Sequence, residues 1–171
     1  LAVAVVKGDT VLVSKGYGFA NLEHGIGVTP ETMFESGSLG KQFTAALVMS
    51  LVESGALKLD ATVRTYLPNA PPTWQPITLR HLLSHTSGIP DYTSDAMDYH
   101  KDYTETDLEK LAYGLTLEFP AGSRWNYSNT GYVMLGIIVS KVTGHPYWET
   151  MRERIFNHAG MPAIRIISEA D

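Results

Sequence analysis

Ser38 and Lys41 form the only S-x-x-K spacing in the chain. On a helix the two residues share one face, a turn apart. A serine hydroxyl beside a lysine amine can become nucleophilic without a histidine, because the amine can take the hydroxyl proton. The surrounding sequence places the pair at a turn. Residues 33–35 read as a short extended piece, Gly37-Ser38 as a tight small-residue corner, and Gly40 onward as an apolar helix. A helix N-terminus also offers unpaired backbone N–H groups to a developing oxyanion. The plainer reading is a cap serine and a surface lysine. The apolar helix counts against that reading, since a lysine on it must snorkel out or have a purpose.

Tyr127-Ser128-Asn129 is the only Y-x-N in the chain. In an extended turn, residues two apart project to the same side. A buried phenol beside an ammonium has its pKa lowered, so Tyr127 is suited to carry a proton to and from Ser38. The alternative is a tyrosine packed on the core with Asn129 as a helix cap.

These residues need elements to hold them. The 171 residues are 44% hydrophobic and 18% charged, a globular composition. That length suits one domain with a real core, or half of a larger one. The net charge is −5 with no basic cluster, which argues against a nucleic-acid surface. No apolar run reaches the length of a membrane helix. The absence of cysteine excludes thiol catalysis and a disulfide framework. A chain that opens on Leu1 and enters a strand at once is expected to lack its first residues.

Residues 1–6 and 10–14 read as a hairpin around Lys7-Gly8-Asp9. Gly16-Tyr17-Gly18 lacks the third glycine and the helix of a dinucleotide loop, so these glycines are expected to shape a strand end. Residues 21–32 read as loop. A buried helix runs from Gly40 to about Val52 and ends at Gly55. A short helix within residues 57–68 can be capped by Asp60, and residues 69–76 are a proline-rich connector. Thr78 caps a helix through Leu82-Leu83. Thr106 with Glu109 offers a capping box for a helix ending at Gly114. Residues 131–142 form a second buried helix closed by Gly144. Pro146 opens a last helix with Trp148, Met151 and Ile155 on one face. Residues 164–167 are expected to start a strand. The chain thus divides into strands and nucleophile helix (1–56), a mostly helical lobe (57–163) and the start of a return to the sheet (164–171).

Taken together, Ser38-x-x-Lys41 and Tyr127-x-Asn129 resemble the motifs of the penicillin-recognising serine hydrolases: class C β-lactamases, D-alanyl-D-alanine carboxypeptidases and related esterases. Gly16-Tyr17-Gly18-Phe19-Ala20-Asn21 looks like that family's second strand. Leu79-Arg80-His81-Leu82-Leu83-Ser84-His85-Thr86-Ser87-Gly88 looks like its helical-domain segment. Pro120-Ala121-Gly122 with Gly131-Tyr132 looks like the surroundings of its second motif. The tyrosine in that motif points to the class C side. The resemblance implies an α/β (α+β) fold of the β-lactamase/transpeptidase type. It implies Ser38 as nucleophile, Lys41 and Tyr127 as proton carriers, Asn129 as a contact to substrate or to Lys41, and no metal or cofactor. It also implies a small-molecule or peptide substrate and a periplasmic or secreted bacterial setting. Ester, β-lactam and D-amino-acid peptide remain open as substrates, and oligomeric state is not addressed.

The family's third motif, K-T-G or H-x-G, is not found. Lys141-Val142-Thr143-Gly144 has one residue too many and closes a helix. His158-Ala159-Gly160 sits at a helix end, where Gly160 reads as a cap. The chain therefore looks like the N-terminal half of such an enzyme. The rival readings are a catalytically silent relative that binds penicillin or cell-wall peptide, and an inactive fragment that lacks the third motif. His81 and His85 lie four apart but lack a third ligand for zinc. A Ser-His-Asp triad around Ser38 lacks the G-x-S-x-G elbow. Trp74, Trp125, Tyr92 and Tyr103 can line a cleft or pack in a core. Residues 91–103 are the candidate loop for selectivity.

Overall fold

The computed structural model describes residues 1–93, 97, 98 and 100–165, and they fall into two compact units, Leu1–Ser38 and Leu39–Asp171. The first unit is built from two hairpins. Strands β1 (Ala2–Lys7) and β2 (Thr10–Gly16) pair antiparallel around Gly8-Asp9, with the register shifting at Val5/Val6 so that Leu12 bulges. Apolar residues point to both faces of this ribbon, and Val6 and Val11 are 58% and 60% exposed. Short strands β3 (Phe19–Asn21) and β4 (Ile26–Gly27) form a second hairpin. The sequence reading had this stretch as loop. A two-residue strand has too little alternation to be seen locally. Its pairing is instead set by the turn, where the Asn21 side-chain oxygen accepts from the His24 N–H. Gly16 is required by packing: a Cβ there would lie 1.9 Å from the Val28 carbonyl oxygen. Residues 33–35, expected to be extended, have no ladder partner among the described residues.

The second unit is helical and organised around α5 (Asn129–Thr143). Thr130, Gly131, Met134, Leu135, Ile137, Ile138 and Val139 of this helix are buried. A helix buried on so many sides must sit inside its neighbours. It packs against α1 (Gly40–Glu53), α2 (Val63–Tyr66), α3 (Leu79–Leu83), α4 (Glu105–Tyr113) and α6 (Tyr147–Met151). Leu47, Val48 and Leu51 of α1 join Leu57, Leu67, Ile77, Leu82 and Leu135 in one apolar core. Helix α1 is less enclosed than its composition suggested. Thr44, Leu47, Val48 and Leu51 face inward, while Gln42, Ala46 and Met49 form an exposed stripe.

Caps and pairs decided several boundaries. Thr78 caps α3 in a capping box with His81. Gly144, left-handed at φ 73°, closes α5. Helix α4 begins earlier than expected: its capping box is Thr104 with Asp107, not Thr106 with Glu109. Both spacings fit the rule, and Glu109 is drawn away to pair with Lys141 of α5. Asp60 does not cap α2. Its carboxylate takes Arg80 bidentately, Nε at 2.8 Å and Nη2 at 3.0 Å. After α6 the chain winds into a π-turn over Arg152–Phe156 that brings Phe156 edge-on to Phe43. Ile164 and Arg165 are not in a strand, and the rest of the expected strand lies outside the described residues. No helix among the described residues is long and apolar enough to cross a membrane.

Candidate active site

Two backbone features deliver Tyr127 and Asn129 to Lys41. The first is a strap over residues 118–128. Glu118 N–H donates to the Gly88 carbonyl, Gly122 N–H to Thr86, and Asn126 N–H to His85. The strap can lie this close only because residue 88 is glycine. At φ 80°, a Cβ there would fall 2.1 Å from the Phe119 carbonyl oxygen. The second is the start of α5. Ser128 is its N-cap, accepting from Gly131 N–H through its hydroxyl, so Tyr127 leaves the helix axis while Asn129 occupies the first helical position.

Lys41 lies in the first turn of α1. Its Nζ donates to Asn129 Oδ1 at 2.7 Å and stands over the rings of Tyr127 (4.9 Å) and Tyr132 (5.7 Å). The Tyr127 hydroxyl donates to the same Asn129 Oδ1 at 3.3 Å. Lys41, Tyr127 and Asn129 are all half-buried. One amide oxygen thus holds an ammonium and a phenol side by side, although the two motifs lie far apart in sequence. Ser38 is exposed in the 3-10 turn Gly37–Leu39 that runs directly into α1.

Two further residues shape this cluster. Asp91 Oδ2 accepts from both the Asn129 side-chain amide, at 2.8 Å, and the Asn129 backbone N–H, at 3.1 Å. Its other oxygen accepts from the Thr93 N–H and hydroxyl. Burial alone would raise the Asp91 pKa. The four donors outweigh it and hold the carboxyl below its ordinary value. Thr130 clamps the same segment, donating to the Pro90 carbonyl and accepting from Tyr92 N–H.

His85 is the second. It is the one non-glycine at positive φ (57°) among the described residues. Its Nδ1 accepts from Ser128 N–H at 3.2 Å, and its ring lies against Tyr127 (4.6 Å) and stacks on Tyr132 (5.1 Å). Burial, and then the nearby Lys41 charge, lowers its pKa. Accepting at Nδ1 requires a lone pair there, so His85 is neutral with its proton on Nε2.

The sequence reading missed Asp91 as a site residue, placing it only at the edge of a loop. Its signal is a carboxylate following a proline, and nothing local names a partner 38 residues away. The i, i+4 spacing of His81 and His85 suggests one shared role. Instead, His81 Nδ1 accepts from the Thr78 N–H and His85 binds the strap, so the two rings serve different backbones. Of the aromatic candidates, Trp74 is fully buried against Tyr113, while Trp125 is 63% exposed beside His85. Residues 94–96 and 99 of the candidate selectivity loop lie outside the described residues. His158 turns back to the Glu153 carbonyl, and Gly160 is left-handed at φ 66°.

The chain matches the Beta-lactamase family over residues 1–170. It is 36% identical over 169 residues to a penicillin-binding protein of Bacillus subtilis, covering 96% of this chain and 37% of that protein. A crystal structure of a penicillin-binding protein from Bacillus halodurans superposes with a TM-score of 0.85 at 33% identity, over 99% of this chain and 53% of the other. The D-amino acid amidase of Ochrobactrum anthropi, solved with L-phenylalanine amide, gives a TM-score of 0.82 at 29% identity, over 94% and 46%. The chain therefore spans about half the length of these relatives or less. The mixed α/β fold is of the β-lactamase/transpeptidase type.

Proposed function

The chain belongs to the beta-lactamase family, and from that premise we propose that it supplies the nucleophile half of a serine hydrolase acting through an acyl-enzyme. Ser38 Oγ attacks the carbonyl carbon of an amide, β-lactam or ester, and its proton passes to the Lys41–Tyr127 pair. The carbonyl electrons move onto oxygen, where the backbone N–H at the helix start stabilises them. Collapse of the tetrahedral intermediate expels the amine or alkoxide, which takes a proton from Tyr127. Water then attacks the ester of Ser38 and regenerates the hydroxyl. Which of Lys41 and Tyr127 holds the proton at each step is a property of the coupled pair. Asn129 keeps the two groups adjacent through one oxygen.

The observation that supports this reading is the convergence of Lys41 and Tyr127 on Asn129 Oδ1. A cap serine and a surface lysine give no reason for an ammonium and a phenol to share one half-buried amide oxygen, whereas a proton relay does. Amides of D-amino acids are a substrate class to try first, since one structural neighbour is a D-amino acid amidase. The names of the penicillin-binding relatives favour a second reading, binding with stable acylation and little turnover. One experiment tests both. The full-length protein is incubated with a fluorescent penicillin and with a D-amino acid amide. Labelling that disappears in Ser38→Ala supports the nucleophile. Release of amine separates a hydrolase from a binding relative. Labelling that persists in Ser38→Ala ends the proposal.

A further inference from the structure

The Asn129 side chain has a donor end and an acceptor end, and its two neighbours are not interchangeable. On one side stands Asp91, a carboxylate that can only accept. On the other stands Lys41, an ammonium that can only donate. Only one of the two amide orientations satisfies both. The reverse would set N–H against N–H and oxygen against carboxylate. An asparagine amide can otherwise turn over about its last torsion at little cost. Lys41 alone sets one end, but Lys41 is the group that must change its proton during the reaction. Asp91 is not, and its two oxygens are already engaged by Thr93 and by the Asn129 backbone.

We propose that Asp91 is a positioning residue that fixes the polarity of the Asn129 amide, and through it holds the protons of Lys41 and Tyr127. The inference rests on the catalytic reading given above for what those protons are used for. With Asp91 ionised, the amide oxygen stays aimed at Lys41 and Tyr127 whatever the charge on Lys41. The negative charge two hydrogen bonds away also favours the ammonium and disfavours the phenolate. The titratable groups that face this cluster among the described residues are Lys41 from α1, Tyr132 from α5, and Tyr127 and His85 from the strap and its anchor.

A role confined to capping α5 predicts lower stability and nothing more. Asp91→Asn tests the charge, because its amide oxygen can still accept from the Asn129 N–H and side-chain amide while the anion is gone, and Asp91→Ala removes the acceptor as well. The test uses the full-length protein and compares wild type, Asp91→Asn and Asp91→Ala. Acylation of Ser38 by a fluorescent penicillin is followed against pH. Independently, the reactivity of Lys41 toward acetic anhydride is followed against pH by peptide mass spectrometry. In Asp91→Asn, acylation is expected to slow about tenfold to a hundredfold, the scale for groups that orient a reacting residue without touching substrate. Its acid limb moves to lower pH, since the anion that favours the protonated cluster is gone. The reactivity of Lys41 toward the anhydride at a fixed pH near neutral rises, by up to about tenfold. Unchanged profiles in both assays, even with a lowered melting temperature in Asp91→Ala, reduce Asp91 to a helix cap and overturn the proposal. If wild type never labels at Ser38, the catalytic reading fails, and the Lys41 reactivity still decides the role of Asp91.

Discussion

Lys41 Nζ reaches Asn129 Oδ1 at 2.7 Å across 88 residues of sequence. Helices α1 and α5 must pack directly for this to happen, and each brings its first turn to the contact. Lys41→Met keeps the apolar stem and removes the donor. Acylation is expected to fall about 10²-fold or more, the range for losing a positioned proton carrier. Lys41→Arg is not expected to rescue it, because a guanidinium stays protonated and cannot take up the serine's proton. Time courses with a fluorescent penicillin check this, and wild-type rates in Lys41→Met would remove Lys41 from the chemistry.

Tyr127→Phe isolates the hydroxyl. The ring contacts with His85 and Lys41 remain. Melting temperature is therefore expected to change little, within about 0.5 kcal/mol of stability. Amine release from a D-amino acid amide is expected to fall about 10²-fold or more. A stable variant with undiminished turnover would leave Tyr127 as packing.

His85 predicts a pH dependence. Its folded pKa lies below the ordinary 6.5 because burial and Lys41 disfavour the imidazolium. Below that ordinary value the unfolded chain takes up a proton that the folded chain resists. The stability tied to neutral His85 is thus complete above about pH 6.5 and drains away as pH falls toward the folded pKa. Thermal melts at pH 7.5 and 5.5 should show a smaller loss in His85→Asn than in wild type. Asparagine tolerates the left-handed backbone and offers Ser128 N–H an oxygen. His85→Leu lacks both and is expected to cost about 1–3 kcal/mol at any pH.

The start of α4 supplies a control remote from the site. Thr104→Ala is expected to destabilise by about 1 kcal/mol, whereas Thr106→Ala is near neutral. Chemical denaturation of both variants checks the assignment, and the opposite ranking would restore the later cap.

Much of this molecule was legible before any coordinates. The S-x-x-K at a turn, the Y-x-N before an apolar helix, the Thr78 cap and the Gly144 stop are local signals. Each depends on residues within a turn or two of one another, where backbone chemistry leaves few choices. The resemblance to the penicillin-recognising hydrolases draws on these motifs and on longer stretches of the chain around them.

Tertiary structure decided what locality leaves degenerate. Two threonine capping boxes were available for α4, and the pairing of Glu109 with Lys141 on another helix selected one. Two histidines shared a spacing, and the strap at residues 118–128 gave one of them a backbone N–H to hold. Asp91 carried no motif at all. It acquires a role only when α5 presents an amide with two unlike ends between an anion and a cation, and a hydrogen bond between residues so distant is written by packing rather than by spacing.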